Sequence, residues 1–159
     1  MVRQSLRALP LVMLLAALSG SLQAQTGKAI TIRVFDGKTG DVIKPSNVQI
    51  RLDRQQSSDN QWVKQKDDGS TSITVPPGST EITVHATYDN STEYYVNCDA
   101  AKERDTSAEH WYSISAILSE GVVMPNDCVK PQVAAKLTVT AKPGELDLFV
   151  RRRNWREQQ

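Results

Sequence analysis

What the 159-residue chain lacks narrows its function first. It has only two histidines, His85 and His110. It has no Gly-x-Ser-x-Gly elbow, P-loop, His-Glu-x-x-His or Gly-x-Gly-x-x-Gly motif, so the commonest motif-bearing hydrolase, nucleotide and metalloprotease classes are set aside. Aromatic residues are scarce, at 6 % of the chain, which fits a small core in a turn-rich β protein. Charge of one sign is also lacking. The formal net charge is +1, and removing Arg3 and Arg7 takes it to −1, so no bulk field favours nucleic acid or anionic lipid. Beyond the N-terminus no apolar stretch is long enough to span a bilayer, so no integral membrane segment is expected. The only cysteines, Cys98 and Cys128, lack a Cys-x-x-Cys spacing or a nearby histidine, and neither metal nor cofactor is expected.

What is present begins with an export signal. Arg3 and Arg7 form a positive n-region, "LPLVMLLAALSG" is a short apolar h-region, and "SLQAQ" offers cleavage after Ala24. Residues 1–24 therefore read as a Sec-type signal peptide, 25–153 as one domain and 154–159 as a polar tail, in a periplasmic or secreted protein. In that compartment two cysteines predict a Cys98–Cys128 disulfide. The chain-entropy model values such a loop at roughly 3–4 kcal/mol.

The period-2 signal is strong. Ile30, Ile32 and Val34 alternate in "AITIRVF", and Val48, Ile50 and Leu52 alternate in "NVQIRL". "QWVKQK" is a short, weakly patterned strand. Ile73 and Val75 lead into Pro76-Pro77-Gly78, and Ile82, Val84 and Ala86 follow, which predicts a hairpin over 69–88. "TEYYVN" is a further strand. Trp111, Ile114 and Leu118 lie at helical spacing before Gly121, which predicts one short helix. The segments 133–141 and 145–152 flank Lys142-Pro143-Gly144 and predict a last hairpin. Seven or eight short strands with one helical insertion predict an all-β antiparallel sandwich of the transthyretin or immunoglobulin kind. Helices do not alternate with strands, so parallel α/β is excluded.

Two stretches resemble a known family. "TGDVIKPSNVQI" and "DDGSTSITVPPGSTEITVHA" are similar to the signature segments of carboxypeptidase regulatory-like domains, over about residues 28–97. Val42 and Pro45 stand where that family usually has Pro and Gly, and Thr71 and Thr80 stand where it usually has aromatics. The resemblance implies a transthyretin-like β-sandwich, often exported, accessory and non-catalytic.

No catalytic constellation is visible, so no catalytic residue is assigned. His85 reads as a surface or inter-strand side chain and His110 as a solvated flank, because neither has a matched acid or nucleophile in sequence. The candidate binding residues are Trp62, Trp111 and Trp155, which could stack on a sugar or a peptide, although large aromatics pack more often than they bind. Arg151, Arg152, Arg153 and Arg156 read as a solvated terminal run, and Asp36, Asp41, Asp67 and Asp68 as turn formers. Asn90-Ser91-Thr92 is a glycosylation sequon only in a eukaryotic secretory host. The reading is an exported binding or structural accessory protein of the bacterial cell envelope with a protein or polysaccharide partner. The alternatives are a carbohydrate-binding module using exposed aromatics and, third, an enzyme on a transthyretin-like fold.

Expressed in a bacterium with a Sec system, the protein is expected in the periplasm or medium with Gln25 as its N-terminal residue. N-terminal sequencing checks this, and a cytosolic product that keeps Arg3 and Arg7 contradicts it.

Overall fold

The computed structural model of the chain describes residues 27–44, 47–56, 59–89, 93–100 and 109–153. The predicted signal peptide, Pro45, the sequon, Trp155 and the tail lie outside the described residues. Among the described residues nine strands follow in order: β1 (Lys28–Asp36), β2 (Asn47–Leu52), β3 (Gln61–Lys64), β4 (Ser70–Val75), β5 (Glu81–Asp89), β6 (Glu93–Asn97), β7 (Tyr112–Ser113), β8 (Val122–Val123) and β9 (Glu145–Arg152). Two short helices, α1 (Ile114–Ser119) and α2 (Pro131–Ala134), lie between β7 and β9.

Neighbouring strands follow the path β3-β2-β5-β6-β9-β1-β4, with β7 added to β5 and β8 added to β9. The path folds over itself into two sheets. One is built on β3-β2-β5, the other on β9-β1-β4, and β6 pairs with both β5 and β9. The alternation read from sequence decides what lies between them. Ile30, Ile32 and Val34 of β1, Val48 and Ile50 of β2, and Ile82 and Val84 of β5 form one buried cluster with Leu146, Leu148 and Val150 of β9. Each such side chain contributes about 1.5–3 kcal/mol by leaving water.

A second, smaller cluster lies on the far side of the β9-β1 pair. Phe35 and Phe149 project from that face with ring centroids 5.9 Å apart, against Cys98 and with Leu137, Val139 and Cys128 packed on them. Strand β9 is thus covered on both faces, as its nearly continuous apolar run "LFV" requires. Beside it Asp147 is buried and takes a two-point bond from Arg33, Nε to Oδ1 at 2.8 Å and an η nitrogen to Oδ2 at 2.7 Å. The same guanidinium reaches Glu145 at 3.0 Å and the Thr140 carbonyl at 3.0 Å, which pins the covering segment. Burial outweighs Arg33 at Asp147 and pushes that carboxyl up, so this pair fixes geometry more than it adds stability.

Four expectations need correction. The segment 69–88 does form two strands around Pro76-Pro77-Gly78, and Val75 and Ile82 both face the core. They are not a hairpin, however: β4 pairs with β1 and β5 with β2, so the turn arches from one sheet to the other. Inward-facing residues on both sides of the turn suit an arch as well as a hairpin, and the pattern cannot separate them. The predicted last hairpin is absent. Residues 133–141 form the end of α2 and an irregular cover, and the partners of β9 are β1, β6 and β8. Leu137 and Val139 alternate because they pack on Phe35 and Phe149, not because they join a ladder. The sandwich is also not wholly antiparallel, since β1 and β8 both run parallel to β9. Finally, the helix starts at Ile114, capped by the Ser113 hydroxyl, and Trp111 precedes it. Its end is as read: Gly121 follows at φ +81°.

Two glycines separate backbone strain from packing. Gly78 has φ +90° and open space where a Cβ would stand, whereas a Cβ on Gly121 would meet the Lys142 carbonyl oxygen at 2.4 Å. Gly78→Ala is expected to cost about 1–2 kcal/mol from strain alone. Gly121→Ala is expected to cost clearly more, because backbone must also shift. Urea melts of the two variants check this, and equal losses contradict the packing of Gly121 against 141–142.

Candidate functional site

The outward face of the β3-β2-β5 sheet carries the polar residues that alternate with its core positions. On β2 these are Gln49 and Arg51, and on β5 Thr83 and His85. The register sets Arg51 opposite Thr83 and Gln49 opposite both His85 and, on β3, Trp62. Trp62 is 52 % exposed on this short edge strand. The chain returns to the same face at 109–113, where β7 pairs Tyr112 with Ile82 and Ser113 with Glu81. Strand alternation turns Trp111 to the side opposite Tyr112, the side of Arg51. The Arg51 and Arg54 guanidinium carbons lie 5.5 and 5.6 Å from the Trp111 ring centroid, within cation–π range. Glu109 forms an ion pair with an η nitrogen of Arg51. Arg54, at the end of β2, pairs with Glu81 at 2.7 Å.

The disulfide positions the adjoining half of the site. Cys98 and Cys128 are bonded, as the sequence predicts. Cys98 begins a single tight turn over Cys98–Ala100, so the next residue, Asp99, is buried beside β7. The Tyr112 hydroxyl donates to Asp99 Oδ2 at 2.5 Å. His110 Nδ1 lies 3.6 Å from the same oxygen, an ion pair when the imidazole is protonated. Burial and Asp99 together push the Tyr112 hydroxyl far up, so it stays neutral and serves as a donor. Burial also lowers His85. Asp99 works against that shift, and the positive fields of Arg51 and His110 reinforce it. One carboxylate therefore orients a tyrosine and a histidine, with a second, neutral histidine in its field.

The structure treats the sequence candidates unequally. It joins Cys98 to Cys128, leaves Trp62 exposed, and places Trp111 against two arginines instead of on the helix. Trp155 and Arg156 lie outside the described residues. Sequence separates His85 from His110 and gives neither a partner, whereas the fold sets His110 against Asp99 and leaves His85 within the field of the same carboxylate. Arg51, Thr83, Asp99 and Glu109 carry no signal in sequence. Arg51 and Thr83 stand at solvent-side positions of their strands, and nothing local tells that 109–111 folds over them. The aspartates behave as turn formers: Asp36 accepts from the Lys38 and Thr39 amides and Asp68 from the Ser70 amide. Among the described residues no group of three or more His, Cys, Asp or Glu is arranged to hold a metal ion, and no helix is long and apolar enough to cross a membrane.

Comparison with known proteins adds no relative: no family model, curated protein or solved structure matches the chain.

The lowered His85 has a pH consequence. Its neutral form is favoured in the folded chain, while the unfolded chain protonates near pH 6.5. The unfolded state then binds the extra proton, so this contribution is present above about pH 6.5 and is lost as pH falls from there through the lower folded-state value, with a slope of up to about 1.4 kcal/mol per unit. Denaturant melts between pH 7.5 and 5 are expected to show this loss in the parent protein and a flatter profile in His85→Gln. Parallel profiles contradict the placement of His85.

Proposed function

We propose that the protein is an exported, non-catalytic binding module of the bacterial cell envelope, built on a transthyretin-like sandwich of the carboxypeptidase regulatory-like kind. Its ligand is a polysaccharide held on the outward face of the β3-β2-β5 sheet. The observation that carries this reading is Trp62, a large aromatic half exposed on an edge strand, directly across from Gln49. An indole face supplies the apolar contact that a sugar ring stacks on, and an adjacent side-chain amide supplies both a donor and an acceptor. The export signal supports the compartment and the buried disulfide agrees with it.

A hydrolytic reading has one observation in its favour, the contacts of His110 and Tyr112 with Asp99. A carboxylate that orients an imidazole is half of an acid–base machine. Against it, the Tyr112 hydroxyl is already committed to Asp99 and held neutral, so it is a poor nucleophile. Glycan or ester turnover lost in Asp99→Asn, with the fold preserved, would establish this reading over the first.

Pull-down on insoluble envelope polysaccharides is expected to retain the parent protein and to lose Trp62→Ala, while the variant keeps its melting temperature because the ring is half exposed. Equal retention of both proteins contradicts the proposal.

A further inference from the structure

Arg51 is only 6 % exposed, yet its hydrogen bonding is incomplete. One η nitrogen meets Glu109, while its Nε is buried with no hydrogen-bond partner. Directly opposite on β5, Thr83 is 2 % exposed and its hydroxyl is also without a partner. Buried donors of this kind are costly to leave unpaired, and such groups call for an explanation. Both belong to one patch of sheet face, whose side chains stand about 5 Å apart at Cβ. The group occupying the outer edge of the guanidinium is a carboxylate from the returning chain, and Glu109 itself is 37 % exposed. Its exposed side lets another carboxylate replace it at the guanidinium, one ion pair exchanging for another. A planar carboxylate from outside would match the fork of Arg51 in two-point fashion, and a second lone pair could accept from Thr83.

We propose that Arg51 and Thr83 form a binding site for the carboxylate of an acidic sugar, with Glu109 as the internal group that the ligand displaces. The inference rests on the polysaccharide reading above and narrows it to uronic-acid glycans. Arg51 stands two residues along β2 from Gln49, the partner of Trp62, about 6.6 Å on the same face. One sugar ring stacked on Trp62 thus brings its own or its neighbour's carboxylate toward the guanidinium. Trp111, which stacks on Arg51, closes the opposite flank and fixes the plane of the fork. The ligand carboxylate is held by donors already desolvated, so charge discriminates more strongly here than at an exposed arginine.

The test is calorimetric titration with oligogalacturonate, its methyl ester and oligoglutamate, using the parent protein, Glu109→Gln, Arg51→Gln and Trp62→Ala. Glu109→Gln is expected to bind oligogalacturonate at least tenfold more tightly than the parent, with the ester unaffected, and Arg51→Gln to lose the preference for the acid. Because Arg51→Gln could fail to fold, Glu109→Gln decides alone: unchanged affinity for the acid overturns the inference. If acid and ester bind alike and both are lost in Trp62→Ala, the polysaccharide reading stands and this one falls. If oligoglutamate binds more tightly than oligogalacturonate, the sugar assignment falls. If neither glycan binds the parent or Glu109→Gln, both readings fall.

Discussion

The Cys98–Cys128 bond is the constraint on which the outer parts of the molecule depend. The sandwich has its own core between two sheets, made of strands whose alternation is self-sufficient. The segment from 98 to 141 adds Ile114, Ile117 and Met124 to that core, but its outer parts, 98–100, 109–111 and 125–139, bury little there and need a tether. The bond supplies one by joining the end of β6 to the start of the covering segment, and it is buried against Phe35 and Phe149. Gly37 is part of the same design, because a Cβ there would meet Cys98 Sγ at 2.5 Å. The Asn126 amide donates to the Gly37 carbonyl at 2.7 Å and the Asp127 amide to the Cys98 carbonyl at 3.1 Å, which close the corner around the sulfurs. Cross-linking a loop of this length stabilises mainly by restricting the unfolded chain, by roughly 3–4 kcal/mol.

From that corner the chain serves both outer faces. Toward β9 and β1 it is a lid: Leu137 and Val139 cover the two phenylalanines, and Arg33 with Asp147 holds the end of the cover. Toward β2 and β5 it assembles polar chemistry. Asp99 directly follows Cys98, and it gathers Tyr112 and His110, while Glu109 and Trp111 reach the arginine on the sheet. Alternation along 109–112 divides these four residues between the two groups, one pair toward the carboxylate and one toward the guanidinium. Covering one face and arming the other are thus consequences of one covalent tie.

The fold was legible in sequence where burial on one face repeats with period 2. Val48 and Ile50 of β2 and Ile82 and Val84 of β5 face inward as read. It was not legible where one pattern serves two geometries. Val75 and Ile82 look the same in an arch and in a hairpin, and Leu137 and Val139 alternate against a pair of rings as they would in a strand. Of the site, Trp62 and the disulfide could be named from residue type and compartment. Arg51 and Asp99 could not, and His110 read only as a solvated flank, because their meaning comes from contacts between β2, the turn at 98 and the strand at 112, which are distant in sequence. A solvent-side arginine on a strand reads as surface until something folds over it.

Hydrogen exchange followed by mass spectrometry on the oxidised protein and on the Cys98→Ala/Cys128→Ala variant tests this account most directly. The account predicts that β1, β2 and β5 keep their protection in the variant while residues 98–100, 109–113 and 128–139 lose theirs together. Unchanged protection of 109–113, or uniform loss across the sandwich strands, would contradict the claim that the disulfide holds the site onto an independently packed sandwich.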